Sequence, residues 1–241
     1  MASRTVEQPF QRRVRSSVHH MAYFGRMWNI DKGRVIDPCR VGSTSYRARQ
    51  RRWQVFRHRF PEFARMKVLD LGGTLAYWKL APVRPSHVTI VNLDHDEKQD
   101  DVPWAKNLTA DACSGGFGRF DLVVSNSLLE HVGGHLQRKR LGEVVREASA
   151  HHWVQTPYRY FPVEPHWVFP AFHWLPFRAR VGIARRWPFG HIEPEPDNVR
   201  AAEVVASVEL VSITEMRLYF PNSELWLERI SGLPKSLVAI R

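Results

Sequence analysis

Four short stretches of this chain are almost wholly apolar or β-branched, and the residues between them change to helical spacing or to polar loops. Val68–Leu71, Val88–Leu93, Phe120–Ser125 and Trp153–Thr156 predict buried strands. Asn107–Ala112 predicts a weaker strand or loop, preceded by a polar loop over 95–107. Leu75–Leu80 predicts a short helix stopped by Pro82 and Pro85. Leu136–Ser149 predicts a longer one, with Leu141, Val144, Val145 and Ala148 on one face. Strands that read as apolar runs and alternate with helices imply a parallel sheet covered on both faces. Near the end, Ser212 and Glu215 have the spacing of a capping box. Glu224–Ile230 and Ser236–Ile240, joined by Gly232-Leu-Pro, predict a terminal antiparallel hairpin. The expected class is α/β: a mostly parallel sheet with helices on both faces and a C-terminal hairpin.

Two regions depart from this rhythm. Residues 1–48 have no clean period; Phe10, Met21, Tyr23, Phe24 and Trp28 are scattered apolar anchors, read as helix pieces covering part of the core or the mouth of a site. A helix is expected within Ser43–Phe63, ending near Pro61. Residues 157–197 hold 8 prolines and 10 Phe, Trp or Tyr residues, which predicts an irregular but packed lobe rather than disorder. The organisation expected is a basic cap over 1–60 and a catalytic domain over 61–241, with an aromatic, proline-rich insertion at about 157–200.

Charge sharpens that division. The chain carries a formal +11, and residues 1–59, with 13 Arg, 1 Lys and 3 acids, account for all of it. Such a segment suits phosphates, an anionic membrane surface or an acidic substrate, or is simply a solvated arginine-rich extension. Cys39 and Cys113 are far apart and form no C-x-x-C, which argues against structural zinc and a disulfide scaffold. No apolar run reaches the length of a membrane span, and the start lacks the apolar core of a secretory signal. A cytoplasmic location is expected, with membrane association as an option.

The candidate chemistry sits where the strands end. Val68-Leu-Asp-Leu-Gly-Gly73 is a buried strand running into a tight turn, and Asp70 at its end needs a partner. Asp94, Asp111 and Asn126 follow the next strands in order. In an open parallel sheet these ends line one crevice, where ligands bind. A carboxylate after the second strand is placed to accept from ribose hydroxyls; one after the third can read an adenine amino group.

These residues resemble a class I S-adenosylmethionine-dependent methyltransferase of the small-molecule group, a Rossmann-like fold. The resemblance rests on Val68–Thr74, Asn92-Leu-Asp94, Ala110-Asp-Ala112 and Phe120–Val132, and loosely on the terminal hairpin. It implies S-adenosyl-L-methionine as cofactor. Asp70 would hold its amino end, directly or through water, with Gly72, Gly73 and Thr74 forming the turn. Asp94 would take the ribose, Asp111 the adenine amino group, and Ala112 a backbone contact. Ser125 and Asn126 would border the methionine part. The family's usual Asp-x-Gly-x-Gly-x-Gly is here Asp-Leu-Gly-Gly-Thr-Leu-Ala, without the third glycine.

A sulfonium methyl is already activated, so a base is required only if the acceptor must lose a proton. His131, following the fourth strand, is the expected base, with His135 and His166 as lesser candidates. Tyr158, Arg159, Tyr160 and His166 are placed to orient an acceptor, expected to be a small or lipid-linked metabolite methylated on oxygen. The family's Asn/Asp-Pro-Pro-aromatic signature of amide or adenine nitrogen methylation is missing, as is the Asp-Asn pair of magnesium-dependent catechol methylation, so no metal is expected. Competing readings are an RNA-modifying or nucleic-acid-binding protein using the basic segment, a nicotinamide-dependent oxidoreductase, and a relic that binds cofactor without catalysis. The oxidoreductase would carry Gly-x-Gly-x-x-Gly in its first turn, which this chain does not.

Overall fold

The computed structural model describes residues 44–94 and 102–241. The anchors expected among residues 1–43, and the first part of the polar loop at 95–107, lie outside them. The sheet begins with β1 (Lys67–Leu71), β2 (His87–Asn92), β3 (Ala105–Thr109), β4 (Leu122–Asn126) and β5 (His152–Pro157), and ends with β8 (Glu224–Ile230) and β9 (Leu233–Ile240). Its order is β3-β2-β1-β4-β5-β9-β8. The first five strands are parallel, β9 runs antiparallel to β5, and β8 antiparallel to β9. From β1 the chain proceeds outward to β2 and β3, then returns to place β4 on the other side. The crevice between β1 and β4 is therefore a topological switch point, where the two halves diverge and a ligand can enter.

Alternation along the strands sorts side chains into two cores. On one face, Leu69, Leu71, Val123 and Val154 meet the helices α3 (His135–Ala148) and α6 (Ile213–Tyr219) through Leu141, Val145 and Met216. On the other, Val68, Ile90, Val124 and Trp153 meet α1 (Thr44–Arg59) and α2 (Leu75–Lys79). That second core is aromatic: Trp53 and Phe56 of α1 pack edge to face, and Phe56 does the same with Trp153 of β5. The carboxyl-terminal part of the expected basic cap is thus a structural layer of the sheet. Its apolar anchors recur at helical spacing, and its arginines occupy the remaining turns.

One local expectation shifts. The third strand lies at Ala105–Thr109, overlapping the expected Asn107–Ala112 but starting two residues earlier, and Asp111 follows it. As an edge strand it is half solvated, so it shows no apolar run. Asp121 sits at the opposite end of the sheet from the crevice, where its carboxylate accepts from the Lys67 amide at 2.7 Å. The capping box forms as expected, Ser212 and Glu215 bonding reciprocally at the start of α6.

Pro162–Ser207 forms part of a separate compact unit. It holds a small hairpin, β6 (Val163–Glu164) with β7 (Phe169–Pro170), then α4 (Phe177–Ala184) and α5 (Asn198–Ala206). Neither helix was expected from the sequence. Trp167 stacks on Phe172 with ring centroids 4.2 Å apart, and the Trp187 indole donates to the Trp167 carbonyl. Most aromatic residues of Pro162–Ser207 meet one another in this way, which accounts for packing without long elements. Among the described residues no helix is long and apolar enough to cross a membrane.

Candidate cofactor and acceptor site

The turn after β1 is built on a buried carboxylate. Asp70 is 1% exposed, and its Oδ2 accepts from the Trp78 indole at 2.7 Å. Trp78 lies on α2 and is fully buried, so the strand and the helix that follows it are tied together directly beneath the turn. Gly73 lies over the carboxylate so closely that a Cβ there would stand 1.5 Å from Asp70 Oδ2. Gly72 has φ +81, and a Cβ on it would press into Leu128 at 2.9 Å. Each glycine therefore has its own reason: one the approach to Asp70, the other a left-handed conformation. Asn92 at the end of β2 donates to the Gly73 carbonyl at 2.9 Å, and the Gly72 amide donates to the Val91 carbonyl. Thr74 caps α2, its hydroxyl accepting from the Tyr77 amide.

The other expected cofactor residues follow the carboxyl ends of their strands. Asp94 is half-buried, two residues past β2. Asp111 is exposed, two past β3; its Oδ1 accepts from the Cys113 amide, which turns the chain and seats Ala112 in the core. Ser125, fully buried, donates its hydroxyl to the Leu71 carbonyl and fastens the end of β4 to that of β1. Asn126 is half-buried beside the Tyr77 phenol. Burial pushes that phenol up to about 12; the Asp70 charge acts in the same direction, while Arg52 and Arg49 oppose it. At working pH Tyr77 is a neutral phenol at the edge of the crevice.

Past β4 the chain turns sharply, with Ser127 at φ +54, and Glu130 becomes fully buried. Glu130 Oε2 accepts from the Thr156 hydroxyl at 2.9 Å, and its Oε1 lies 4.0 Å from His131 Nε2. His131 retains 17% side-chain exposure. A histidine beside a buried carboxylate can accept a proton and have the resulting cation stabilised. His135 instead bonds the Tyr219 hydroxyl where α3 meets α6.

The expected acceptor residues divide. Tyr158 and Tyr160 pack edge to face, and Tyr160 is 56% exposed. Arg159 is engaged by the Leu210 carbonyl and by Glu215 of the capping box. His166 belongs to the separate unit, where its ring and amide both bond Glu164. Sequence reasoning missed Trp78 and Asn92, which hold the turn, and Tyr77, which meets Asn126. A tryptophan eight residues after a strand-end carboxylate was the available signal for the first. A surface depression of about 460 Å³ lies at the amino end of the sheet beside Asp121 and His151, the opposite end from the glycine turn.

No family model and no curated protein matches the chain. Solved structures do. A Rhodobacter sphaeroides protein described as a candidate Zn-dependent alcohol dehydrogenase superposes with a TM-score of 0.54 at 10% identity, over 79% of this chain and 87% of that one. Magnesium protoporphyrin IX methyltransferase from Synechocystis PCC 6803, with S-adenosylhomocysteine bound, gives 0.49 at 11% identity, over 81% and 84%. An S-adenosylmethionine-dependent methyltransferase from Mesorhizobium loti gives 0.48 at 17%, over 78% and 97%. At 10% identity the first of these likenesses speaks only for the Rossmann-like fold that the strand order already shows, and proteins of different activity share that fold.

Proposed function

We propose that the chain is an S-adenosylmethionine-dependent methyltransferase that methylates oxygen on a small or lipid-linked metabolite. The observation that carries this reading is the glycine turn over buried Asp70, with Asp94 beyond β2 on the same edge of the sheet. The residues fit the cofactor's chemistry. Gly72 and Gly73 bring backbone to the crevice, Asp94 offers a carboxylate to the ribose, Asp111 one to the adenine amino group, and Asn126 borders the methionine part. When bound, the cofactor supplies an activated methyl on a sulfonium. The chain's own residues orient the acceptor and move its proton. His131 accepts that proton, and Glu130 stabilises the imidazolium. Tyr158 and Tyr160 flank the acceptor. The exposed arginines of α1, among them Arg47, Arg51 and Arg57, support attraction to an anionic membrane surface from the cytoplasmic side.

Calorimetry with S-adenosylhomocysteine and with NAD separates this reading from a nicotinamide enzyme. Saturable binding of the first and none of the second is expected; the reverse would defeat the proposal. Asp94→Ala should abolish S-adenosylhomocysteine binding while leaving the thermal unfolding midpoint near that of the parent. Once an acceptor is in hand, His131→Ala should lower turnover by about 10²–10⁴-fold with little change in cofactor affinity. Parent-level turnover would remove it as base.

A further inference from the structure

A second polar system crosses the α1 face of the sheet beyond the glycine turn. Asn126 of β4 and Gln155 of β5 are in register as neighbours, and β9 and β8 follow on the same side. Over this row lies Arg52 of α1. Its Nε donates to Glu228 Oε1 at 2.9 Å, and its Nη1 to Gln155 Oε1 at 3.3 Å. Ser127, at the end of β4, donates to the same Gln155 oxygen at 3.3 Å. Gln155 is 3% exposed and Glu228 1%. The second Glu228 oxygen is buried and has no hydrogen-bond partner among the described residues.

A carboxylate shut inside a sheet is costly to desolvate, and a single ion pair seldom recovers that cost. Mere stability would be served better by an apolar residue beside Trp226. Holding Arg52 still is a different task, and a buried carboxylate with a buried amide performs it. Two of the guanidinium nitrogens are fixed, while Nη2 donates to nothing among the described residues, and the Arg52 side chain keeps 26% exposure. Lys235, at the irregularity between β8 and β9, adds a second cation. Burial lowers its pKa and Arg52 lowers it further, against the opposing pull of Glu228, so cationic character is crowded here. Arg52 and Lys235 against Glu228 leave one net positive charge, which matches a monoanion better than a phosphate dianion.

The structure assigns Arg52, held by Glu228 and Gln155, as the residue that recognises a carboxylate on the acceptor. Gln155 lies one strand, about 4.8 Å, from Asn126. The carboxylate is therefore a handle beside the reacting atom, and planar bidentate pairing with the guanidinium fixes its orientation. This rests on the methyltransferase reading for the word acceptor, but the anion site can be tested without it.

The full chain is titrated with benzoate and hexanoate, each against its primary amide, following by NMR the Gln155 side-chain amide resonance, which the parent and the variants share. The acids should shift that resonance saturably, and the amides should bind at least about tenfold more weakly. Arg52→Gln alone strands Glu228 and risks misfolding, so the Arg52→Gln/Glu228→Gln pair is measured beside Arg52→Lys. Both should lose about tenfold in acid affinity, the lysine variant because it keeps charge without the fork. Equal binding of acids and amides, undiminished acid binding in both variants, or no saturable shift with either acid would overturn the assignment. S-adenosylhomocysteine binding, measured separately on each protein, should be unchanged. Its failure in the parent protein would defeat the methyltransferase reading and leave the Arg52 result to stand on its own.

Discussion

The two faces of the central sheet are covered by different means. The α3 and α6 face is aliphatic, apart from Tyr219 and Phe220, and its strand-borne polar side chains near the crevice, Ser125 and Thr156, bond internally. The α1 and α2 face is aromatic and carries Asp70, Arg52 and Glu228. Large flat rings explain the pairing. Tryptophan and tyrosine give apolar contact along most of their surface and still offer a polar tip, so a carboxylate can be placed among them without being stranded. Leucine and valine cannot do this. The aliphatic face reaches the site through one hydroxyl, Thr156 on Glu130, whereas the aromatic face holds the carboxylate beneath the glycine turn itself.

Truncations on the two faces should therefore differ in kind. Trp78→Ala removes a fully buried ring and the donor to Asp70 and should cost about 3–5 kcal/mol. It should also weaken S-adenosylhomocysteine binding at the turn above. Leu141→Ala, equally buried on the other face, should cost about 2–5 kcal/mol in urea unfolding and leave that binding intact. Loss of cofactor affinity with Leu141→Ala but not with Trp78→Ala would reverse the comparison. The smallest effect concerns acid. His152, on the aliphatic face, bonds Ser223, and burial holds its pKa down to about 4, with Arg241, Arg146 and His151 acting in the same direction. Its unfolded value is near 6.5. Its contribution is thus complete above about pH 6.5, declines as pH falls toward about 4, and changes no further below that. Urea midpoints taken across that range should fall in the parent and fall less in His152→Gln; parallel curves would show that another group controls the acid limb.

How far the sequence reached follows the range of the interactions involved. β1, β2, β4 and α3 were legible because each carries its signal within a few residues: apolar runs, glycines, helical spacing. Ser212 and Glu215 announced α6 in the same local way. β3 was displaced because an edge strand such as Ala-Lys-Asn-Leu-Thr has little to bury. α4 was hidden by Pro176 at its start and by the absence of a capping side chain. α5 had a readable signal in Asp197, which accepts from the Arg200 amide, but prolines on either side of Glu195 drew the reading toward loop. Asp70, Gly72 and Gly73 could be placed from sequence because the turn is local. The Arg52, Gln155 and Glu228 system could not, since it depends on β5, β8 and β9 coming into register. Only the alternation of Glu224, Trp226 and Glu228 hinted that a carboxylate faces inward.

The chain leaves the sheet after β5 and re-enters before α6, and the two passages meet. Tyr158 bridges to Val211, and the Arg159 amide donates to the Val211 carbonyl at 3.0 Å. Arg159 adds a clasp to Leu210 and Glu215 at the same neck. Everything between is a closed loop whose ends are fixed by the parent sheet, so its length costs folding only slowly. Such a neck is a natural cassette boundary. A short glycine-serine bridge in place of residues 162–207 should preserve the sheet, and a different insert could be spliced there while the strands and their turns stay constant.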